Sequence, residues 1–98
     1  MDVKTADKYF IANTYSRADV VFVSGKGSVL TDDCGKEYID FGSGIAVSVL
    51  GHSYAPWVQA VKAQTDKIAH TTNLYFSEPC VRLAEKLKER TGMKKVFF

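Results

Sequence analysis

The chain has 98 residues, of which 46% are hydrophobic and 12% aromatic. This composition is ordinary for one folded domain or a part of one, and it argues against disorder. Thirteen Lys and Arg against eleven Asp and Glu give a formal net charge of +2. Since these charges are interspersed, the sequence offers no basic stripe for nucleic acid or a membrane surface.

The opening residues, "MDVKTADKYF", lack the basic segment and apolar stretch of an export signal. No window has the length of a membrane span, so we expect a cytoplasmic protein. Cys34 and Cys80 are far apart and in no paired spacing, which predicts that both are reduced. Together with His52 and His70 they lack the spacing of a structural zinc site, and we expect no metal.

The first half of the chain predicts a short helix followed by a small sheet. Apolar residues recur on one side of residues 3–14, which favours the helix. Three β-branched or aromatic runs follow at 20–23, 28–30 and 37–41, separated by stretches rich in turn-forming residues. Strands at this spacing are typical of an antiparallel meander.

The second half predicts two helices and the beginning of another strand. Apolar spacing favours helices over about 55–68 and 78–90, each with one buried face. Ser77 is suited to cap the second helix and Gly92 to end it. The predicted buried positions are Val58, Val61, Thr65 and Ile68 in the first helix and Val81, Leu83, Ala84 and Leu87 in the second. The closing "KKVFF" predicts a strand over Val96–Phe98 that needs cover on both faces.

Two glycine-containing motifs resemble phosphate-binding loops but lack essential parts. The stretch "SGKGS" (24–28) has no preceding glycine at the required distance and no following helix, so it indicates a hairpin turn. In "GSGIAV" (42–47), Val47 stands where a dinucleotide fingerprint requires its third glycine. Ser43, Ser48 and Ser53 lack the context of a hydrolase nucleophile.

Two segments have a composition that regular structure does not explain. Residues 42–53 form an apolar loop framed by glycines, which either receives a docking ligand or partner or packs beneath the fold. Residues 70–76, "HTTNLYF", join the two predicted helices with polar and aromatic side chains. This segment either lines a cleft or packs.

Read together, the ordered pieces resemble the N-terminal segment of the class-III aminotransferases, which are fold-type-I enzymes that use pyridoxal phosphate. The resemblance runs from about Tyr9 to Phe98. It is carried by "NTYSR", "GKGSVLTDDCGKEYIDFGSGIAVSVLGHS", "HTTNLYFSEP", "LAEKL" and "KKVFF", in the family's order and spacing. The chain departs from the family after "GH", where Tyr54 and Ala55 displace Pro56 by one position.

The resemblance implies an α/β architecture in two parts. Residues 1–54 are expected to hold the N-terminal helix, the meander and an active-site loop, and residues 55–98 two helices leading into a cofactor-binding large domain. We expect the longer protein to continue past Phe98 with a phosphate-binding loop.

The resemblance also assigns residues to the substrate. Tyr15 is expected to contact the substrate, with an aromatic anchor for the N-terminal arm as the alternative. The substrate-facing loop corresponds to Gly44, Ile45, Ala46 and Val47. Thr72 and Asn73 are expected to approach the active site across a homodimer interface. The catalytic lysine of the family lies beyond Phe98, so no catalytic residue is expected in residues 1–98.

The implied reaction moves an amino group between N2-acetylornithine and 2-oxoglutarate, as in arginine biosynthesis, with pyridoxal phosphate as carrier. "GIAV", "LGH" and "TNLYF" favour an acylated ornithine as amino donor. Ornithine, succinylornithine and 4-aminobutyrate remain alternative donors. A small binding module that docks through residues 42–53 is the alternative of another class. Without the catalytic lysine, residues 1–98 alone are expected to be inactive.

Overall fold

The computed structural model describes all residues from Met1 to Phe98. They form two compact units, residues 1–61 and residues 62–98. The regular elements are α1 (Val3–Phe10), β1 (Phe22–Lys26), β2 (Val29–Asp32), β3 (Glu37–Ile39), α2 (Ser43–Ala46), α3 (Ala55–Lys67) and α4 (Glu78–Thr91). None of the helices combines the length and the apolarity that crossing a lipid bilayer requires.

Helix α1 begins at an aspartate cap and ends earlier than the sequence predicts. The Asp2 carboxylate accepts hydrogen bonds from the Thr5 backbone N–H at 3.0 Å and from the Thr5 hydroxyl at 2.7 Å. The first of these bonds satisfies a backbone donor that a helix leaves free in its first turn. Ile11 is already extended, so the predicted continuation to residue 14 is wrong.

The predicted antiparallel meander is confirmed, with strand order β1-β2-β3. Lys26 pairs with Val29, so the β1–β2 turn contains only Gly27 and Ser28. This pairing moves β1 toward the C-terminus relative to the prediction, because a two-residue hairpin brings low-propensity residues such as Ser24 and Gly25 into the ladder. β3 ends at Ile39 rather than at residue 41.

The two predicted helices of the second half are confirmed as α3 and α4, with bounds within about one residue of those predicted. Gly92 ends α4 in the left-handed conformation, with φ of 72°, and its N–H donates to the Lys88 carbonyl. Ser77 occupies the N-cap position, but its side chain makes no capping hydrogen bond.

The predicted strand at Val96–Phe98 is absent, because a strand requires a hydrogen-bonded neighbour and the sheet contains β1, β2 and β3 alone. The predicted helix faces are covered only in part: no hydrophobic residue of the chain is fully buried, but Val58, Ala84 and Leu87 are half-buried and are the only residues of α3 and α4 that are not exposed. Val81 is 64% exposed and Ile68 56% exposed. Apolar periodicity marks which side of a helix prefers cover, and it does not itself supply that cover.

Candidate functional site

The loop after β3 contains a left-handed turn, α2, where the sequence predicts irregular structure. Four consecutive residues have positive φ: Ser43 (48°), Gly44 (59°), Ile45 (58°) and Ala46 (62°). The left-handed conformation costs a non-glycine residue about 1–2 kcal/mol, because its Cβ crowds the backbone. Strain of this kind persists only where surrounding contacts hold it, and it is concentrated at functional sites.

One carboxylate binds both ends of the segment that contains this turn. Asp40 Oδ1 accepts a hydrogen bond from the Ser43 backbone N–H at 2.8 Å. Asp40 Oδ2 lies 2.7 Å from His52 Nε2. Both side chains are partly buried, with 13% exposure for Asp40 and 24% for His52. We refer to the contacts among Asp40, Ser43 and His52 as the Asp40 clamp.

The clamp is attached to the β1–β2 hairpin through its histidine. The backbones of His52 and Gly27 exchange two hydrogen bonds, of 3.0 and 2.8 Å, and the Ser53 hydroxyl donates to the Gly25 carbonyl at 2.8 Å. The contact leaves no room for a side chain on the hairpin, since a Cβ on Gly25 would lie 2.9 Å from His52 Cβ. The hairpin therefore fixes the C-terminal end of the loop.

The electrostatics of the clamp favour an ionised carboxylate. The hydrogen bond from His52 is the largest cause that lowers the pKa of Asp40, and the Ser43 N–H adds to it. Hydrogen bonds to the charged form of an acid stabilise that form relative to the neutral one. Asp40 therefore holds the loop most strongly when it is negatively charged.

The turn presents apolar side chains to solvent. Ile45 is 95% exposed and Val47 is 79% exposed, although both belong to a loop whose ends are fixed. Chemically, this arrangement offers an exposed apolar edge and backbone polar groups that suit contact with part of a small molecule. The predicted residues Gly44, Ile45 and Ala46 lie within the left-handed turn, and Val47 follows it directly.

Tyr15 belongs to the same unit as the turn, residues 1–61, and its side chain is exposed. Its side chain is 73% exposed, and it lies between α1 and β1. It makes none of the hydrogen bonds that hold the loop. The substrate contact predicted for Tyr15 stays a prediction.

Thr72 and Asn73 line a concave surface of about 500 Å³ within residues 64–80. Thr72 has φ of 64°, which is unusual for a β-branched residue. Its hydroxyl accepts a hydrogen bond from the Leu74 N–H at 3.2 Å, and Asn73 Nδ2 donates to the Phe98 carbonyl at 3.3 Å. The two predicted residues thus lie together on one concave surface.

A second aspartate cluster fixes the β2–β3 turn. Asp32, Asp33 and Cys34 place potential metal-binding atoms within 4.8 Å of one another. The Asp32 carboxylate, however, already accepts hydrogen bonds from the Cys34 N–H, the Lys36 N–H and the Tyr38 hydroxyl. We assign this cluster to the turn. Both cysteines are free thiols, as the sequence predicts.

The lysines of the chain lie at its surface. Every lysine is exposed. The pKa of Lys4 is raised, chiefly by its hydrogen bond to Asp19, whereas a nucleophilic amine requires a lowered pKa. That the covalent ligand of pyridoxal phosphate lies outside residues 1–98 stays a prediction of the resemblance.

Sequence reasoning missed the clamp. His52 enters the sequence analysis as a possible metal ligand and as part of "LGH", and Asp40 as part of a predicted strand, and neither context predicts a bond between them. A signal was present, because an aspartate three residues before a backbone N–H at the start of a turn is the spacing of an N-cap. The long-range bond from Asp40 to His52 leaves no such local pattern.

Comparison with known proteins identifies the class. The family model for class-III aminotransferases matches residues 10–98. The chain therefore belongs to the class-III aminotransferase family, whose members are pyridoxal-phosphate enzymes. This confirms the resemblance inferred from the ordered motifs.

Within the family, the chain is similar to acetylornithine aminotransferases. It is 43% identical over 96 residues to the acetylornithine aminotransferase of Haemophilus ducreyi, a match that covers 98% of this chain and 24% of the relative. It is 47% identical over 89 residues to the succinylornithine transaminase of Yersinia pseudotuberculosis, covering 91% of this chain and 22% of the relative.

A solved structure agrees with these sequence relatives. The N-acetylornithine aminotransferase of Stenotrophomonas maltophilia superposes with a TM-score of 0.81 at 34% identity, over 95% of this chain and 24% of that one. The chain thus spans about a quarter of the length of the proteins it matches. The meander and the helices α1, α3 and α4 are consistent with an N-terminal segment of this fold.

Proposed function

We propose that the chain is the substrate-facing N-terminal segment of an aminotransferase that moves an amino group between N2-acetylornithine and 2-oxoglutarate. The observation that carries this proposal is the 43% identity to an acetylornithine aminotransferase over 98% of the chain. In the complete enzyme, pyridoxal phosphate supplies the chemistry of carrying the amino group. Residues 1–98 bind and orient the substrate.

The left-handed turn supports a role in substrate binding. Gly44, Ile45, Ala46 and Val47 form the substrate-facing edge, because the strained backbone of Ile45 and Ala46 and the exposed side chains of Ile45 and Val47 serve no packing purpose within residues 1–61. Tyr15 is a further substrate contact. Residues 1–54 thus contribute the N-terminal helix, the meander and the active-site loop, and residues 55–98 lead into the cofactor-binding domain.

Thr72 and Asn73 serve the active site of the partner subunit in a homodimer. The support is local: both residues line one concave surface, and Thr72 is held in an unfavourable backbone conformation. A Thr72→Gly variant would relieve this strain while removing the hydroxyl. We expect it to lower the activity of the dimer without lowering the stability of the chain.

A hybrid enzyme tests the proposal directly. The matching segment of the Haemophilus ducreyi enzyme is replaced by residues of this chain, which restores the remaining three quarters of an aminotransferase. We expect the hybrid to transaminate N2-acetylornithine with 2-oxoglutarate, while residues 1–98 alone, mixed with pyridoxal phosphate, show no turnover. A folded, dimeric hybrid with no activity toward any ornithine derivative would contradict the proposal.

Succinylornithine is the second candidate donor, and the 47% identity to a succinylornithine transaminase favours it. A matched hybrid that carries the Yersinia pseudotuberculosis segment in the same Haemophilus ducreyi enzyme separates the two. We compare kcat/KM for N2-acetylornithine, succinylornithine, ornithine and 4-aminobutyrate in both hybrids. If the hybrid that carries this chain and the hybrid that carries the Yersinia pseudotuberculosis segment both preferred succinylornithine, succinylornithine would be favoured as the donor.

The cellular proposal is a cytoplasmic step of arginine biosynthesis. A bacterium that lacks its own acetylornithine aminotransferase requires added arginine. We expect expression of the hybrid to restore growth without arginine, and expression of a hybrid with the catalytic lysine replaced by alanine to leave the requirement in place. If the hybrid and its lysine-to-alanine variant both restored growth, growth would report on something other than transamination.

A further inference from the structure

The left-handed turn is held by backbone hydrogen bonds from Ile45 to Gly42 and from Ser48 to Ser43, and the Asp40 clamp adds a side-chain restraint from outside the turn. Ser43, Ile45 and Ala46 are non-glycine residues that favour right-handed or extended backbone when free. The Asp40 carboxylate holds Ser43 by accepting a hydrogen bond from the Ser43 backbone N–H. The bond to His52 then ties the same carboxylate to the far end of the loop.

We infer that Asp40 and His52 are positioning residues that hold the left-handed turn Ser43–Ala46 in the shape that contacts the amino donor. This inference rests on the proposed function for the identity of the ligand. The clamp touches no predicted substrate contact through its own side chains, so it acts through the backbone of the turn. Its effect is therefore on the placement of Ile45 and Val47 rather than on the chemistry of transfer.

The link from His52 to Asp40 is made by the side chain of His52, so a substitution at this residue can remove it. The backbone of His52 is held separately by Gly27, so changes at the imidazole leave the hairpin attachment in place. The Ser43 N–H donates to Asp40 Oδ1, whereas the imidazole faces the other oxygen, Oδ2. Loss of the Nε2 contact therefore removes the side-chain link between the two ends of the loop, while the backbone hydrogen bonds of Asp40 to Ser28 and of His52 to Gly27 remain.

Two amides of different length isolate this link. In His52→Gln, the side-chain amide lies about where Nε2 does and can donate to Asp40 Oδ2. In His52→Asn, the amide is one carbon shorter and cannot reach that oxygen, which lies 2.7 Å from Nε2. Both new side chains end in a neutral amide, so the two variants differ mainly in whether a hydrogen bond to Asp40 Oδ2 can form. Asp33→Asn, an exposed aspartate of the β2–β3 turn, is the control.

The variants are measured in the hybrid enzyme described above. We expect His52→Asn to raise KM for the amino donor about tenfold, with kcat within about twofold of the parent hybrid, because the loop contributes binding that is equal in ground and transition states. His52→Gln and Asp33→Asn are expected to keep the parent KM. A general loss of stability would lower the active fraction, and with it apparent kcat, without this split.

Hydrogen–deuterium exchange of the peptide covering residues 41–54 gives a second readout that is independent of activity. We expect exchange in this peptide to accelerate about tenfold in His52→Asn and to match the parent in His52→Gln, with α4 unchanged in both. If the parent hybrid is inactive, the proposed function fails, and the exchange data still decide on the clamp. Equal KM and equal exchange in the two histidine variants would overturn the inference.

Discussion

Two aspartates organise two turns of the same unit in opposite ways. Asp32 accepts three hydrogen bonds from residues within six positions of itself, and it is the one buried polar residue, with 8% exposure. Asp40 divides its carboxylate between Ser43 and His52, a residue twelve positions away. The first cluster joins relaxed strands, whereas the second holds a strained turn. A local network serves the fold, and a long-range one serves the shape of an exposed surface.

Acid is expected to weaken both networks and to give the largest effect. Hydrogen bonds lower the pKa of Asp32, chiefly that from the Lys36 N–H, and the pKa of Asp40, chiefly that from His52. Their contribution to stability is complete above the ordinary value of 3.8 and is lost as pH falls through the lowered values. The free energy of unfolding should therefore decrease below about pH 4. A free energy of unfolding that stays constant or rises as the pH falls below about 4 would contradict this prediction.

Replacement of Asp32 is expected to give the second-largest loss of stability. Asp32→Ala removes the acceptor of the Cys34 N–H, the Lys36 N–H and the Tyr38 hydroxyl, so two backbone donors of the turn lose their partner. We expect a clear fall in the thermal unfolding midpoint. Asp33→Ala, at the adjacent exposed position, should have little effect, and equal falls in the two variants would refute the role of Asp32.

The junction between the hairpin and the loop can be broken sterically. Gly25→Ala places a methyl group 2.9 Å from His52 and Leu30 atoms, and such overpacking costs about 1–3 kcal/mol. We expect faster hydrogen exchange in residues 41–54 and a lower unfolding free energy. Gly42→Ala is the matched control, because its nearest contact would be Asp40 Oδ1 at an acceptable 3.4 Å. Similar losses in both variants would show that the close contact is not the cause.

The smallest effect is expected outside both aspartate networks. Arg82 and Glu78 form an exposed ion pair one turn apart on α4, and pairs of this type contribute about 0.3–0.5 kcal/mol. Arg82→Gln should change the free energy of chemical unfolding by no more than this amount, and added salt should remove the difference. A larger loss that persists in high salt would mean that Arg82 has a further partner.

The regular elements were predictable from local patterns, within limits. The meander followed from alternating β-branched runs and turn residues, and α3 and α4 from apolar spacing, with Gly92 as a terminator. β1 was misplaced because pairing across the Gly27–Ser28 turn decides strand bounds, and propensity has less influence. The strand predicted at Val96–Phe98 failed for the same reason, since it has no pairing partner within the chain.

The sequence by itself determined the family, the order of α1, the meander, α3 and α4, and the residues that form the candidate loop. Only the tertiary structure decided that Ser43–Ala46 is left-handed and that Asp40 meets His52. Strand and helix preferences arise from each residue and its near neighbours, so they can be read along the chain. A strained turn is stable only through contacts with residues distant in sequence, and those contacts exist only once the hairpin and the loop have come together.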